Sequence, residues 1–299
     1  MEVSGSRQIR TLVFIWRTIR PKQWTKNLFV FAALLFSQNI FNFSLLSRTI
    51  LAFFIFCILS GAVYILNDLL DLKQDRLHPA KSHRPIASGK LKSSHAFLAC
   101  LIFVGLSLGM SYYLRLPFFL VVLLYFLLQL GYSLFLKHVV ILDIFAVACG
   151  FILRIIAGAL VIDVEMSSWF LICAMFLALF LSLSKRRHEL VVLGDQAEYH
   201  RKVLKKYSPY LLDQMIAVVT ASTVMAYSLY TMSEQTVGKF GTKNLVFTTP
   251  FVLFGIFRYL YLVHHKDLGG RPEIIILADK PLMVDIVLWV LTTGVILYS

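Results

Sequence analysis

Apolar segments long enough to cross a bilayer dominate this sequence. Hydrophobic residues make up 59% of the 299 positions and charged residues only 15%, whereas a soluble domain carries about a quarter charged residues. Crossing roughly 30 Å of hydrocarbon takes about 20 helical residues, and in lipid the backbone must satisfy its own hydrogen bonds. The sequence therefore predicts an all-α integral membrane protein with nine transmembrane helices. These are Asn27–Phe43, Thr49–Leu66, Ala96–Leu114, Pro117–Leu136, Val139–Ile162, Ser168–Ser184, Leu211–Met232, Leu245–His264 and Leu282–Tyr298.

Lysine and arginine are sorted between alternate loops. They are concentrated in residues 7–26, 73–92, 185–206 and 266–280, whereas the intervening loops hold only Arg48, Arg115, Lys239 and Lys243. This asymmetry predicts that the N-terminus and the basic loops are cytoplasmic. The net charge of +13 is explained by this topology, so we expect no nucleic-acid partner. No separate soluble domain is indicated, which predicts a single membrane domain over residues 1–299, with residues 1–26 as a basic cytoplasmic segment.

The most distinctive polar stretch closes the second apolar segment, where Asn67, Asp68, Asp71 and Asp75 occur within nine residues. If the stretch is helical, Asn67, Asp71 and Asp75 fall on one face at i, i+4 and i+8. Clustered carboxylates repel one another unless a cation lies among them. Oxygen-only ligands at a membrane surface indicate Mg²⁺ shared with substrate phosphates. The alternative interpretation is a solvated acidic helix end.

Basic residues follow the acids directly. Lys81 and Arg84 lie in the run HPAKSHRPIASG, residues 78–89. A diphosphate bridged to Mg²⁺ needs both kinds of group, because acids hold the metal while Lys or Arg takes the remaining phosphate charge. Anchoring to lipid headgroups is the alternative role for these two side chains.

Other polar side chains lie at the ends of apolar segments or within them. Arg154 is unusual, because an arginine inside a membrane segment generally faces a cavity or a partner, and a helix-joining ion pair is its alternative role. The remaining candidates for substrate binding are Lys22, Lys26, Tyr132, Lys137, Lys185, Arg186 and Glu189. Anchoring or surface pairing is the alternative for the charged ones.

Taken together, these runs resemble the UbiA superfamily of intramembrane prenyltransferases. Its first motif, NDxxDxxxD, is filled by Asn67, Asp68, Asp71 and Asp75. The resemblance implies a UbiA-like bundle with an active site open to the cytoplasm, and it implies Mg²⁺ at these four residues. The runs RPKQWTKN, HPAKSHRPIASG, YSLFLKH, DIFAVACGFILRIIAG and SKRRHEL resemble the decaprenyl-phosphate phosphoribosyltransferase branch.

The second motif departs from the superfamily pattern. Ordinary members carry another aspartate pair, DxxxD, near the end of the sixth helix, whereas this sequence reads KRRHE at residues 185–189. Fewer acids and more bases suit substrates with more phosphates. The resemblance therefore implies transfer of 5-phosphoribose from phosphoribosyl pyrophosphate to a polyprenyl phosphate, with Asp68, Asp71 and Asp75 in the catalytic centre. It further implies a multi-pass protein of the bacterial inner membrane that makes precursors of lipid-linked pentose donors and that forms a homo-oligomer such as a trimer.

Two other functions are also compatible with the sequence. A UbiA-type prenyltransferase would move an isoprenyl group from its diphosphate to an aromatic or other acceptor, and it would gain from a second acidic motif. A transporter or lipid-binding protein would place polar residues on both sides of the membrane, whereas here they gather on the basic side.

Overall fold

The computed structural model describes residues 2–78, 81–194, 202–265, 275 and 278–298, and every regular element among them is helical. Parts of two basic loops, and Pro79 and Ala80 of the predicted site loop, lie outside this set. The all-α class predicted from the apolar segments is confirmed.

Several of the helices begin or end at residues that favour a boundary. The Asn42 side chain caps the helix beginning at Phe43, and Ser208 caps the one beginning at Pro209; each accepts a backbone N–H. The described α-helices are α1 Glu2–Thr18, α2 Ala32–Phe36, α3 Phe43–Leu70, α4 Leu72–Leu77, α5 Ser93–Leu114, α6 Leu116–Leu134, α7 Leu142–Ile162, α8 Ser168–Leu193, α9 Pro209–Met232, α10 Glu234–Phe240, α11 Thr249–His265 and α12 Lys280–Tyr298.

Eight helical stretches of the described chain are long and apolar enough to cross a membrane. They are α3, α5, α6, α7, α8, α9, the stretch Asn244–His265 that ends with α11, and α12 up to Leu297. Each corresponds to one of the nine predicted segments. The protein is therefore a multi-pass membrane protein.

The first predicted segment, Asn27–Phe43, has a different conformation. The chain forms a 3-10 helix over Pro21–Phe31 and then the short helix α2. Asn27 and Val30 are fully buried, and the exposed residues Lys22, Thr25 and Leu28 recur at the same spacing of three, which matches the three residues per turn of a 3-10 helix. Pro21 begins the helix directly after Arg20, whose φ of 53° is left-handed. The buried face of this segment therefore repeats every three residues. Hydropathy alone does not distinguish such a 3-10 helix from an α-helix.

The described chain divides into two compact units. The first comprises Met1–Leu136 with Leu153–Glu165, and in it α3 packs against α5, α6 and the 3-10 helix. Gly158 of α7 permits a further close contact in this unit, because a Cβ there would lie 2.0 Å from the Val30 carbonyl oxygen. The 3-10 helix thus lies directly against the backbone of α7.

The second unit comprises Lys137–Ile152 with Met166–Ser299. Helix α8 packs along α9, and α11 packs along α12. Its core contains Leu183, Leu212, Leu262 and Leu282, together with Ile144 from the first turn of α7. Helix α7 therefore contributes its beginning to the second unit and its end to the first.

Replacement of Gly158 by alanine is expected to lower the stability of the folded protein by about 1–3 kcal/mol or more, because the added methyl group overpacks a backbone contact. A thermal melt of the detergent-solubilised protein measures the effect. Gly105→Ala is the matched control, since nothing lies within 4 Å of a Cβ at Gly105 in α5. A melt of Gly158→Ala equal to that of the control would contradict the close approach.

Candidate active site

The acidic motif continues the helical path of α3 into α4. Helix α3 ends at Leu70 and Asp71 forms its C-cap, yet the Asp71 N–H donates to Asn67 O at 2.9 Å and the Asp75 N–H donates to Asp71 O at 2.8 Å. These i to i+4 bonds preserve the helical register through the junction. Asp68 and Asp75, seven residues apart, therefore lie on one side, where both are buried.

The two buried carboxylates converge on Arg84. One guanidinium nitrogen, Nη1, donates to Asp68 Oδ1 at 3.0 Å and to Asp75 Oδ2 at 2.6 Å. The predicted face was Asn67, Asp71 and Asp75; the pair that shares a partner is Asp68 and Asp75. Burying a carboxylate is costly unless it is paired and hydrogen-bonded, so Arg84 is what permits these acids to be buried here.

Arg20 is a second cation on Asp68. Its Nη2 donates to Asp68 Oδ1, and its guanidinium lies 4.7 Å from the centre of the Tyr64 ring. The sequence patterns do not single out this residue, although it opens the run RPKQWTKN. Two carboxylates and two guanidiniums form a balanced cluster, which we call the carboxylate site: Arg20, Asp68, Asp75 and Arg84.

The loop that carries Arg84 is fixed to the first unit by the residues that follow Arg84. Ile86 and Leu91 are buried in the core with Ile65, and Arg76 Nε donates to the Ala87 carbonyl at 3.3 Å. These anchors explain how a loop of turns holds a guanidinium at a defined place between two acids.

The loop also has a cationic character. Lys81 N–H donates to the His78 carbonyl at 3.2 Å, which places Lys81 beside His78. Burial, with a contribution from the Lys81 charge, lowers the pKa of His78.

The acids of the carboxylate site are oxygen donors of the kind that magnesium prefers. Asp68 and Asp75 already hold one cationic group between them. Among the described residues, no three His, Cys, Asp or Glu side chains are arranged to bind a metal ion. Magnesium does not require three protein ligands, because one or two carboxylates with substrate phosphates commonly suffice.

A second buried network of the first unit surrounds Arg154. Its Nε donates to Asn27 Oδ1 and its Nη2 donates to Tyr125 Oη, both at 2.8 Å. Asn27 in turn donates to Ser60 Oγ at 3.2 Å. Arg154 thus connects α7 to α6 and to the 3-10 helix, and the sequence had indicated neither Asn27 nor Tyr125 as its partners.

In the second unit, Arg186 lies in a buried ion-pair network. Its Nε donates to Asp143 Oδ2 at 2.8 Å and its Nη1 donates to Glu189 Oε2 at 2.9 Å. Asp143 is fully buried and also accepts a bond from Tyr207 Oη at 2.8 Å. The structure therefore brings together Arg186 and Glu189, two predicted site residues, and adds Asp143 and Tyr207 to them.

Tyr207 also supports a strained turn. Its Oη accepts the backbone N–H of Ile141 at 2.6 Å, and Ile141 has a φ of 71°, a left-handed conformation that costs energy for a β-branched residue. Burial raises the pKa of Tyr207, and Asp143 as acceptor contributes. No spacing in the sequence connects residue 207 to residue 143, so this contact was not predictable.

The remaining predicted site residues lie at several places. Lys22 is exposed and Lys26 partly buried on the 3-10 helix, and Tyr132 is partly buried near the end of α6. Lys137 lies in the short 3-10 turn Leu136–His138, and Lys185 in α8. Their roles in substrate binding stay predictions.

Comparison with known proteins gives a consistent result. The UbiA prenyltransferase family profile matches residues 27–273. The decaprenyl-phosphate phosphoribosyltransferase of Corynebacterium glutamicum is 35% identical over 280 residues, which cover 92% of this chain and 83% of that protein. The protein of the same description from Mycolicibacterium smegmatis is 31% identical over 293 residues, covering 94% and 92%.

A solved structure shares the fold. The UbiA homolog from Archaeoglobus fulgidus, bound to GPP and Mg²⁺, has a TM-score of 0.72 and 20% identity. The match covers 96% of this chain and 100% of that one. With this fold and with the family match over most of its length, the chain belongs to the UbiA prenyltransferase family.

Proposed function

We propose that this protein transfers the 5-phosphoribosyl group of phosphoribosyl pyrophosphate to a polyprenyl phosphate of the decaprenyl type and releases pyrophosphate. Curated relatives described as decaprenyl-phosphate phosphoribosyltransferases match more than nine-tenths of the chain. The observation that carries the proposal concerns the second motif. There the one acid, Glu189, accepts a hydrogen bond from Arg186. This end of α8 therefore holds an acid paired with a base, where the DxxxD pattern would place two acids around a metal.

The donor diphosphate is assigned to the carboxylate site. Magnesium held by Asn67, Asp68, Asp71 and Asp75 would neutralise diphosphate charge and stabilise the departing pyrophosphate. Arg84 and Lys81 lie in the same loop, and Arg84 already contacts both acids. A guanidinium in this place is suited to take the charge that develops on the leaving group.

The acceptor needs little activation. As the bond between ribose C1 and the pyrophosphate oxygen breaks, C1 develops oxocarbenium character, and an oxygen of the lipid phosphate forms the new bond. That oxygen is already anionic, so no strong general base is required. Positioning then supplies much of the rate. Candidates to bind the ribose 5-phosphate and the lipid phosphate are Lys22, Lys26, Tyr132, Lys137, Arg154, Lys185 and Arg186.

We assign the carboxylate site to the cytoplasmic face of the bacterial inner membrane. The distribution of Lys and Arg between loops supports this orientation. A water-soluble sugar donor reaches the site from the cytoplasm, whereas the polyprenyl tail stays in lipid. This division of substrates accounts for a transferase embedded in a membrane.

The first prediction concerns substrates and the metal. Purified protein should release pyrophosphate only when phosphoribosyl pyrophosphate, decaprenyl phosphate and Mg²⁺ are all present. Isoprenyl diphosphate with an aromatic acceptor should give no product. If the protein consumed the isoprenyl diphosphate and did not consume phosphoribosyl pyrophosphate, it would be the alternative prenyltransferase.

The second prediction concerns Asp75. Asp75→Asn should lower kcat/KM by about 100-fold or more, because it removes charge stabilisation at the reacting diphosphate. Pyrophosphate release measures the effect, and size-exclusion profiles check folding. The matched control is Asp163→Asn in the same unit, because Asp163 is exposed and pairs with Arg115. Activity near wild type in Asp75→Asn would refute the assignment of the diphosphate.

The third prediction compares Arg186, which pairs with buried Asp143, with its neighbour Lys185, a candidate substrate-binding residue. Arg186→Met should destabilise the protein by about 3–5 kcal/mol, because it leaves Asp143 buried without its cation. Adding Asp143→Asn should restore part of that loss. Lys185→Met, the neighbouring change, should lower the melting temperature by less than Arg186→Met does, while raising a substrate KM. Thermal melts and steady-state kinetics measure both, and equal melts for the two single variants would contradict the buried pair.

A further inference from the structure

Helix α1 has one side that packs on the first unit. It lies outside the eight stretches long and apolar enough to span a membrane. Phe14 and Ile15 pack against the core cluster that contains Ile19 and Ala62, and Thr18 is buried, donating to the Phe14 carbonyl at 2.7 Å. This side explains why α1 is attached to α3.

The other side of α1 is apolar and exposed. Leu12 is 66% exposed, Val13 44% and Trp16 55%. Residues at i, i+1 and i+4 share one side of a helix, so the three form one continuous surface. The exposed residues Arg10 and Arg17 border it. We call Arg10, Leu12, Val13, Trp16 and Arg17 the α1 outer face.

The α1 outer face has the pattern of a helix that lies in the plane of a membrane. Such helices bury an apolar side at the level of the headgroups and place cations beside it. Tryptophan favours this interfacial level, and Trp16 meets Trp24 at a ring distance of 5.5 Å. Arginines next to the apolar strip are complementary to anionic headgroups.

We propose that helix α1 lies in the membrane interface, with Leu12, Val13 and Trp16 inserted among lipids and with Arg10 and Arg17 bound to anionic headgroups. Charge complementarity favours a lipid surface over a protein partner. The first unit also carries spanning helices of its own, so a bilayer necessarily surrounds it. The proposal does not depend on which group the enzyme transfers.

Because α1 packs on the first unit, its contact with lipid would also affect the position of Arg20 in the carboxylate site. The chain continues from α1 through Ile19, which packs so closely on Gly61 that a Cβ there would lie 2.8 Å from the Ile19 Cβ. The next residue, Arg20, bonds to Asp68. A lipid-bound α1 therefore holds Arg20, and through it one buried carboxylate, at a fixed depth near the headgroups.

The first experiment locates the surface by fluorescence. Leu12→Cys and Arg17→Cys variants of the full chain are labelled with an environment-sensitive dye in nanodiscs, and labelled wild type gives the background of the native cysteines. At position 12 we expect blue-shifted emission and strong quenching by lipids with a nitroxide on the upper acyl chain. At position 17 we expect weaker quenching and better access to iodide. Equal iodide access at the two positions would overturn the proposal, as would absence of lipid quenching at position 12.

The second experiment tests the headgroup charge. Thermal melts are measured in nanodiscs of zwitterionic lipid with an increasing fraction of phosphatidylglycerol. The melting temperature of the wild type should rise with that fraction, and the rise should be reduced in the Arg10→Gln, Arg17→Gln double variant. The Arg10→Lys, Arg17→Lys variant is the matched control and should keep the response. An undiminished rise in the Gln variant would overturn the role of the two arginines.

Discussion

The compensation of two buried carboxylates by guanidinium groups governs the first unit. Asp68 and Asp75 are both nearly inaccessible to solvent, and a buried charge without a partner is costly. Arg84 satisfies both acids, and Arg20 adds a second bond to Asp68. These contacts join α3, α4, the loop containing Arg84 and the start of the 3-10 helix. The chemistry of the site and the local fold therefore depend on the same charges.

A comparable solution occurs in the second unit with different residues. Arg186 lies between Asp143 and Glu189, and Tyr207 bonds to the same aspartate. The basic run at residues 185–189 gives a surplus of positive charge in the sequence, yet its most buried arginine is matched by two acids. Lys185 and Arg187 add positive charge at the same helix end, and Arg187 has its own contact with Asp213.

Local patterns predicted much of this structure. Eight spanning stretches follow from hydropathy, because a helix in lipid needs a continuous apolar length and little else. Asp68, Asp75 and Arg84 were site candidates because of residue types close together in sequence, and the structure brings the three side chains into contact. The partners of Arg154 and Asp143 were not, because Tyr125 and Tyr207 are separated from them by 29 and 64 residues. Such contacts arise from helix packing, which leaves no periodic signal. Phosphate binding by the candidate lysines also depends on how the helices pack, so it stays a prediction.

The 3-10 helix at Pro21–Phe31 constrains how this chain can change its length. Its rise is about 2.0 Å per residue, against about 1.5 Å in an α-helix, so fewer residues cover a given depth. With three residues per turn, a single insertion or deletion rotates everything beyond it by a third of a turn. Asn27 and Val30 would leave the buried face, and Lys22 and Lys26 would change their relative direction. A one-residue gap in this helix therefore displaces its buried residues, whereas a substitution at the exposed Thr25 or Leu28 leaves them in place.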